Sequence, residues 1–361
     1  MRIQFKTSYD HDMRLFPDAW TACVYGALMV VMVLLPVLLD EFFLGEITNV
    51  LIWAIGGLGL MLLTGQSGQA SLGHAAFLAM GCYSNTILIE QGLPFVIAFP
   101  LAGVLTGLFG MVIAIPAIRL HGIYLAMATI AVSVLADDVI VLLEPWTGGV
   151  SGKFPEPIVI FGFEIERWSQ PGRFYYLVLA VTVISTLFYR NLLRAPMGRA
   201  FAAVRDSEVS ATALGVHIPR TKAIAFGLSC MITGWAGALM GYHAGTFNNE
   251  TFSLVISITL LMMIVIGGLG SIHGAFLGAA VVAFLPQALS MTTDLFGGSG
   301  VAIPGLETGV FGLILILFIL FEPTGIYGRW LKIRTWFELF PFARKAMFRR
   351  QKSYLKTERL R

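Results

Sequence analysis

The chain has 361 residues, of which 57% are hydrophobic and only 12% charged, with 39 glycines and a formal net charge of +3. A soluble domain carries about 25% charged residues, so this composition, with a mean hydropathy of +0.80, excludes an ordinary water-soluble enzyme and points to a polytopic membrane protein. Cys23, Cys82 and Cys230 sit in apolar runs without CxxC spacing, so they read as small packing residues and not as a disulfide framework or a zinc site.

Residues 1–19 are polar and mixed in charge and carry no cleavable signal pattern, so the first apolar run is expected to stay in the protein. A hydrocarbon core of ~30 Å is crossed by about 20 apolar residues. Runs of that order lie at 20–39, 47–64, 71–89, 94–115, 122–143, 174–190, 222–245, 252–267, 271–292 and 306–321. They predict an all-α membrane protein with about ten transmembrane helices, 8–10 when short and glycine-interrupted runs are allowed for.

Between the second and third runs, "GQSGQASLGHAAF" brings together Gln66, Gln69, Ser71 and His74. Irregular backbone at that depth is tolerated only where protein or water covers it. The four residues are therefore either hydrogen-bonded packing groups or part of a gate or solute path. Asp137 and Asp138 are the acids expected within a span. Such acids are functional candidates, although a place within a turn or two of the outer surface would let them reach water. The segment 144–173 contains "PWTGGVSGKFPEP" and reads as an ordered loop with turns.

The stretch "MGRAFAAVRDSEVSATALGV" (197–216) interrupts the apolar pattern with Arg199, Arg205, Asp206 and Glu208. Each charge at a helix centre costs about 2.5–3.5 kcal/mol, so this stretch does not span. Pro196 suits a helix start, Asp206 or Ser207 can cap a second helical turn, and Gly215 is a stop signal. Met197, Phe201 and Val204 share a face. The prediction is a short amphipathic helix, or two, between spans, able to seat in a partner's groove.

Small residues recur at helical spacing as Gly237/Gly241/Gly245, Gly270/Gly274/Gly278, Gly103/Gly107 and Ser71/Ala75/Ala79. These read as helix-packing seams, because helices in lipid associate through close backbone approach. The tail after residue 321 mixes aromatics with cations and reads as a juxtamembrane segment attracted to anionic membrane lipid, not to nucleic acid. With the N-terminus in the cytoplasm, 21 of the 24 Lys and Arg fall inside; Lys153, Arg167 and Arg173 fall outside. The positive-inside rule then puts both termini in the cytoplasm. The division expected is a cytoplasmic segment 1–21, a transmembrane domain 22–321 with a cytoplasmic loop 191–221, and a basic cytoplasmic tail 322–361.

"MGRAFAAVRD" followed by "EVSATALGVHIPR" resembles the cytoplasmic coupling loop of ABC-importer permeases of the branched-chain amino acid family. "GLGLMLLTGQSGQASLGHAAFLAMGCY", "RLHGIYLAMATIAVSVL", "WTGGVSG" and the stretch 225–279 resemble the same family in order, and the LivM-like subunit most closely. The resemblance implies a transmembrane permease subunit that does no chemistry itself. It also implies a homologous LivH-like permease, two cytoplasmic ATP-binding subunits holding ATP and Mg, and an external solute-binding protein. It marks Arg199, Arg205, Asp206, Glu208, Ala211 and Gly215 as ATPase-coupling residues, with "SATALG" departing from the common placement of an alanine pair.

The chain itself shows no P-loop and no histidines at metal spacing, so no catalytic residue, cofactor or metal is expected on it. What the resemblance implies is a bacterial inner-membrane importer permease for branched-chain or related amino acids. The alternatives are a permease of the same family for urea, short amides or aromatic acids, and a self-sufficient secondary transporter using Asp137 and Asp138.

Overall fold

A computed structural model of the chain describes residues 19–117, 120, 122–160, 162–295, single positions between 309 and 320, and 324–339. Helix α1 spans Ala19–Leu38, and α2 runs from Glu41 to Leu60 and continues as a π-helical turn, Met61–Gln66. Helices α3 (His74–Glu90), α4 (Phe95–Ala117) and α5 (Ile123–Leu142) follow. Beyond the segment 144–170 come α6 (Pro171–Arg194), α7 (Pro196–Asp206), α8 (Glu208–Ala213), α9 (Ile218–Ala244), α10 (Leu254–Gly267), α11 (Ile272–Leu295) and α12 (Gly325–Leu339).

Each predicted run through 271–292 falls on one helix; the run 306–321 lies largely outside the described residues. Among the described residues, seven helices are long and apolar enough to cross a membrane. They are α1, α2 with its π turn, α4, α5, α6, α9, and α10 with the 3-10 turn before it. Helix α3 has 17 residues, and the apolar stretch Ile272–Gln287 of α11 is also shorter than the rest. Polar side chains in these helices satisfy themselves locally: Thr48, Thr86, Thr106 and Thr182 each donate to the carbonyl four residues back, which removes a bare hydroxyl from an apolar setting.

Helix α9 is the centre of the bundle and packs against α4, α3 and α2; α2 packs in turn on α6 and α11. Backbone closeness makes this possible. A Cβ on Gly237 would run into the Leu78 carbonyl, and one on Gly81 into the Gly234 backbone, so α3 and α9 touch main chain to main chain. Gly274 and Gly278 bring α11 equally close to the end of α10, and Gly103 and Gly107 bring α4 against Trp235 and Met231.

Three of the predicted seam positions are corrected. Gly245 closes α9 with φ +80, Gly270 sits in the turn before α11 with φ +82, and Ser71 precedes α3. A strip read at a four-residue spacing assumes that one helix holds every member, whereas α9 ends before Gly245, and α11 and α3 begin only after Gly270 and Ser71.

The segment 144–170 is ordered, with a helical turn at Glu144–Thr147, a 3-10 turn at Gly149–Ser151 and a two-stranded hairpin. Strands β1 (Ile158–Ile160) and β2 (Phe163–Ile165) are antiparallel, with Val159 opposite Glu164. Lys153 ties this segment to the bundle: its ammonium meets Glu90 at 2.6 Å and its backbone pairs with Phe247. The Arg167 guanidinium donates to the His243 carbonyl. Burial lowers the Arg167 pKa, and nearby Glu46 opposes the shift.

Candidate functional site

The interruption between α6 and α9 folds as two short helices. Ala195, in extended conformation, turns the chain out of α6, and Pro196 opens α7, a position where its missing N–H costs nothing. Helix α7 buries Gly198, Phe201 and Val204, with Met197 partly buried, so the predicted face is the packed one. Ser207 caps α8, its hydroxyl oxygen accepting from the Ser210 N–H at 3.3 Å. Of the two predicted caps, the structure uses Ser207. The helix closes at Gly215, φ +84, with Val216 N–H bonded to the Ala211 carbonyl and Gly215 N–H to that of Thr212. This is a Schellman ending, in which the left-handed residue is normally glycine.

Two charges of this pair are spent inside the molecule. Arg205 donates to the Gly65 carbonyl at 3.0 Å and meets Asp206 at 3.0 Å. Glu208 pairs at 2.7 Å with Lys222 of α9, whose side chain is only 7% exposed. Arg199 is exposed, as is Gly215, whereas Ala211 is buried.

Gly65 belongs to the π turn that ends α2, and Gly68 also lies against Arg205. In that turn Gln66 donates to the Gly270 carbonyl at 3.0 Å, Gly270 N–H meets the Met61 sulfur, and a Cβ on Gly65 would lie 2.8 Å from the Gly270 nitrogen. Gln69 donates to the Ser67 hydroxyl and to the Lys222 carbonyl. A single turn therefore holds α7 on one side and the α10–α11 turn on the other.

His74 opens α3 and is fully buried. Ser229 gives its only hydrogen to the Gly59 carbonyl at 2.6 Å, so toward His74 it can only accept. His74 Nε2 is then the protonated nitrogen, donating to Ser229 at 2.9 Å, and Nδ1 accepts from Ser71 at 2.9 Å. The ring is a fully partnered bridge between α3, α9 and α2.

Residues 43–319 match the family described as branched-chain amino acid transport system / permease component. The chain belongs to that family. A high-affinity branched-chain amino acid transport system permease protein, LivM, of Salmonella typhimurium is 32% identical over 279 residues, covering 71% of this chain and 65% of the relative. BraD of Pseudomonas aeruginosa, named as a permease of the same kind of system, is 26% identical over 77% of this chain and 92% of its own length. LivH of Escherichia coli, named as another permease of such a system, is 29% identical over 42% of this chain and 47% of its own. No solved structure matches.

In this family member the remaining candidates lie apart from the α2–α7 contact. Asp137 is half-buried and Asp138 exposed; Asp137 lies within electrostatic reach of Tyr83 of α3. Both sit within the last two turns of α5. The structure thus brings Gln66, Gln69, Arg205 and Glu208 together around the π turn, gives Ser71 and His74 a separate bridge, and leaves the acid pair elsewhere. No group of three or more metal-ligating residues occurs among the described residues.

Sequence reasoning missed Lys222, Ser229 and Gly65 as partners standing on other elements, and placed Gly270 in a helix seam and not against Gln66. It also missed Val209 and Leu214, 83% and 80% exposed on α8 and its end. Bulky apolar residues in a segment otherwise chosen for water are a signal that the sequence carried.

Proposed function

We propose that the chain is one permease subunit of an ATP-driven ABC importer in a bacterial inner membrane, moving branched-chain amino acids inward. The family match and the relatives named for branched-chain amino acid transport support the reading. Its partners are a homologous, LivH-like second permease, two cytoplasmic ATP-binding subunits and an external solute-binding protein. ATP and Mg are held by the ATP-binding subunits, and this chain binds no cofactor. Both termini and α7–α8 face the cytoplasm.

The carrying observation is the α7–α8 pair, which buries Phe201, Val204 and Ala211 toward the bundle while Val209 and Leu214 stand free. Such a helix pair offers an ATP-binding subunit a firm grip through the exposed apolar pair. Movement at α8 reaches α7, then the Gly65 carbonyl through Arg205, and then Gly270 through Gln66. A π turn is an irregular point that helices keep at functional sites, and here it is the joint between the grip and the α10–α11 turn.

The test is reconstitution of all five subunits in proteoliposomes. Leucine, isoleucine or valine accumulates when ATP is added, and the purified chain alone moves none of them under a proton or sodium gradient. Arg205→Met leaves the ATP-binding subunits attached and lowers ATP-driven uptake by about tenfold or more, about 1.4 kcal/mol in barrier terms. Flux through the chain alone, abolished by Asp137→Asn with Asp138→Asn, would replace this reading with a secondary transporter. ATP-driven uptake of urea, amides or aromatic acids in place of leucine would keep the permease and change its solute.

A further inference from the structure

Helix α12 begins against the α10–α11 turn. Gly325, φ +69, lies against the Gly268 backbone, the Tyr327 ring stacks on His273 at 4.9 Å, and Ile326 packs on the core. Gly270 of the same turn meets Gly65 and Gln66, so the base of α12 is on the α7–α8 end of the bundle. Leu331 and Trp336, 41% and 52% exposed, lie on other faces, but Ile326, Trp330, Ile333 and Phe337 line one apolar stripe at spacings of four, three and four. Its last three members are 57%, 42% and 67% exposed.

At 100° per residue, Arg329 and Arg334 fall about 70° to either side of that stripe. Residues 325–361 hold eleven Lys and Arg against two Glu, although the whole chain is only +3, so the rest of the chain is net negative. Upstream, Leu313, Ile316, Leu317 and Leu320 are exposed aliphatics. Five residue steps from Leu320 to Gly325 reach at most about 17 Å, so α12 starts close to that apolar surface. An apolar stripe flanked by cations, beside exposed aliphatic side chains, matches the boundary between acyl chains and anionic headgroups.

We infer that α12 is an interfacial helix lying in the headgroup region of the leaflet on the α7–α8 side, with Trp330, Ile333 and Phe337 among the acyl chains and its cations on anionic lipid phosphates. The inference rests on the chain spanning a membrane but not on its solute or its ATP-binding partners. Because its base abuts the α10–α11 turn, anionic lipid also steadies the element that Gln66 grips.

The test uses the full chain carrying Cys23→Ser and Ile333→Cys; Cys82 and Cys230 are buried. An environment-sensitive fluorophore on residue 333 is followed in vesicles of phosphatidylcholine alone and with one-third phosphatidylglycerol. In the anionic vesicles, lipid-borne doxyl groups quench the label strongly and aqueous iodide quenches it weakly. Reversing Arg329, Lys332 and Arg334 to Glu abolishes most of the lipid quenching, since losing three cations alone weakens partitioning roughly a hundred-fold and the three new acids are repelled by the anionic lipid. Equal quenching in the two lipid compositions, free iodide access in both, or shielding that appears only when ATP-binding subunits are added would each overturn the inference. A label at Leu313→Cys reports separately whether the chain spans at all.

Discussion

Lys222 is 6% exposed and charged, and Glu208 is the counter-ion that makes its burial tolerable. This changes what a substitution at Glu208 means. Read from sequence, Glu208 is a charge offered to a partner; in the structure its carboxylate is turned back onto α9. Removing one partner of a fully buried pair costs about 3–5 kcal/mol, and because Glu208 is 39% exposed the loss here is smaller, about 1–3 kcal/mol. Glu208→Lys therefore lowers the melting temperature of the detergent-solubilised chain and its coupled uptake together. Adding Lys222→Glu recovers most of both, since the swapped pair restores opposite charges. A double variant no better than the single one would mean that Glu208 acts outward. Gly215 is simpler: an added Cβ would meet nothing in this chain, and Gly215→Leu strains a backbone held at φ +84.

Helices α7 and α8 divide their surface between two tasks, and the sequence pattern blurs the division. Phe201, Val204 and Ala211 are buried against the bundle, whereas Val209 and Leu214 are not covered by this chain. Val209→Asp with Leu214→Asp is expected to leave the melting temperature within a few degrees, because surface substitutions change stability by about 0.5 kcal/mol or less. If ATP-binding subunits dock on this pair as proposed, their co-purification with the permease falls by roughly tenfold or more, the scale for losing a buried apolar anchor. Undiminished co-purification would remove this pair from the docking surface.

Over the whole molecule, the charged segments sort to two ends. Lys153 is held to Glu90 at the end of α3, and Arg205 is held to Gly65, just before α3 begins. Helix α3 has 17 residues and is therefore about 25 Å long, close to the thickness of a hydrocarbon core. Phe154 and Asp206 are both exposed and serve as markers in a Cys23→Ser background. In intact cells an impermeant maleimide labels Phe154→Cys, and it labels Asp206→Cys only after the membrane is opened. The reverse pattern would invert the topology.

Class, spans and the place of the interruption were legible in the sequence, because each depends on a property counted along the chain. A run of apolar residues is long enough for a bilayer or it is not, and a cluster of charge is excluded from lipid wherever the run around it folds. The caps at Pro196 and Gly215 were equally readable, since they act within one helical turn. The work done by Gln66, His74, Arg205 and Glu208 was not legible. Their partners Gly270, Ser229, Gly65 and Lys222 stand on other elements, up to 204 positions away. Which helices become neighbours is settled by backbone contacts such as Gly237 on Leu78 and Gly81 on Gly234, where the absence of a side chain is what matters. A glycine has the same letter whether it closes a helix, as Gly245 does, or admits a neighbour, as Gly237 does; only the packed bundle separates the two, because only there is the space beside the Cα filled or left open.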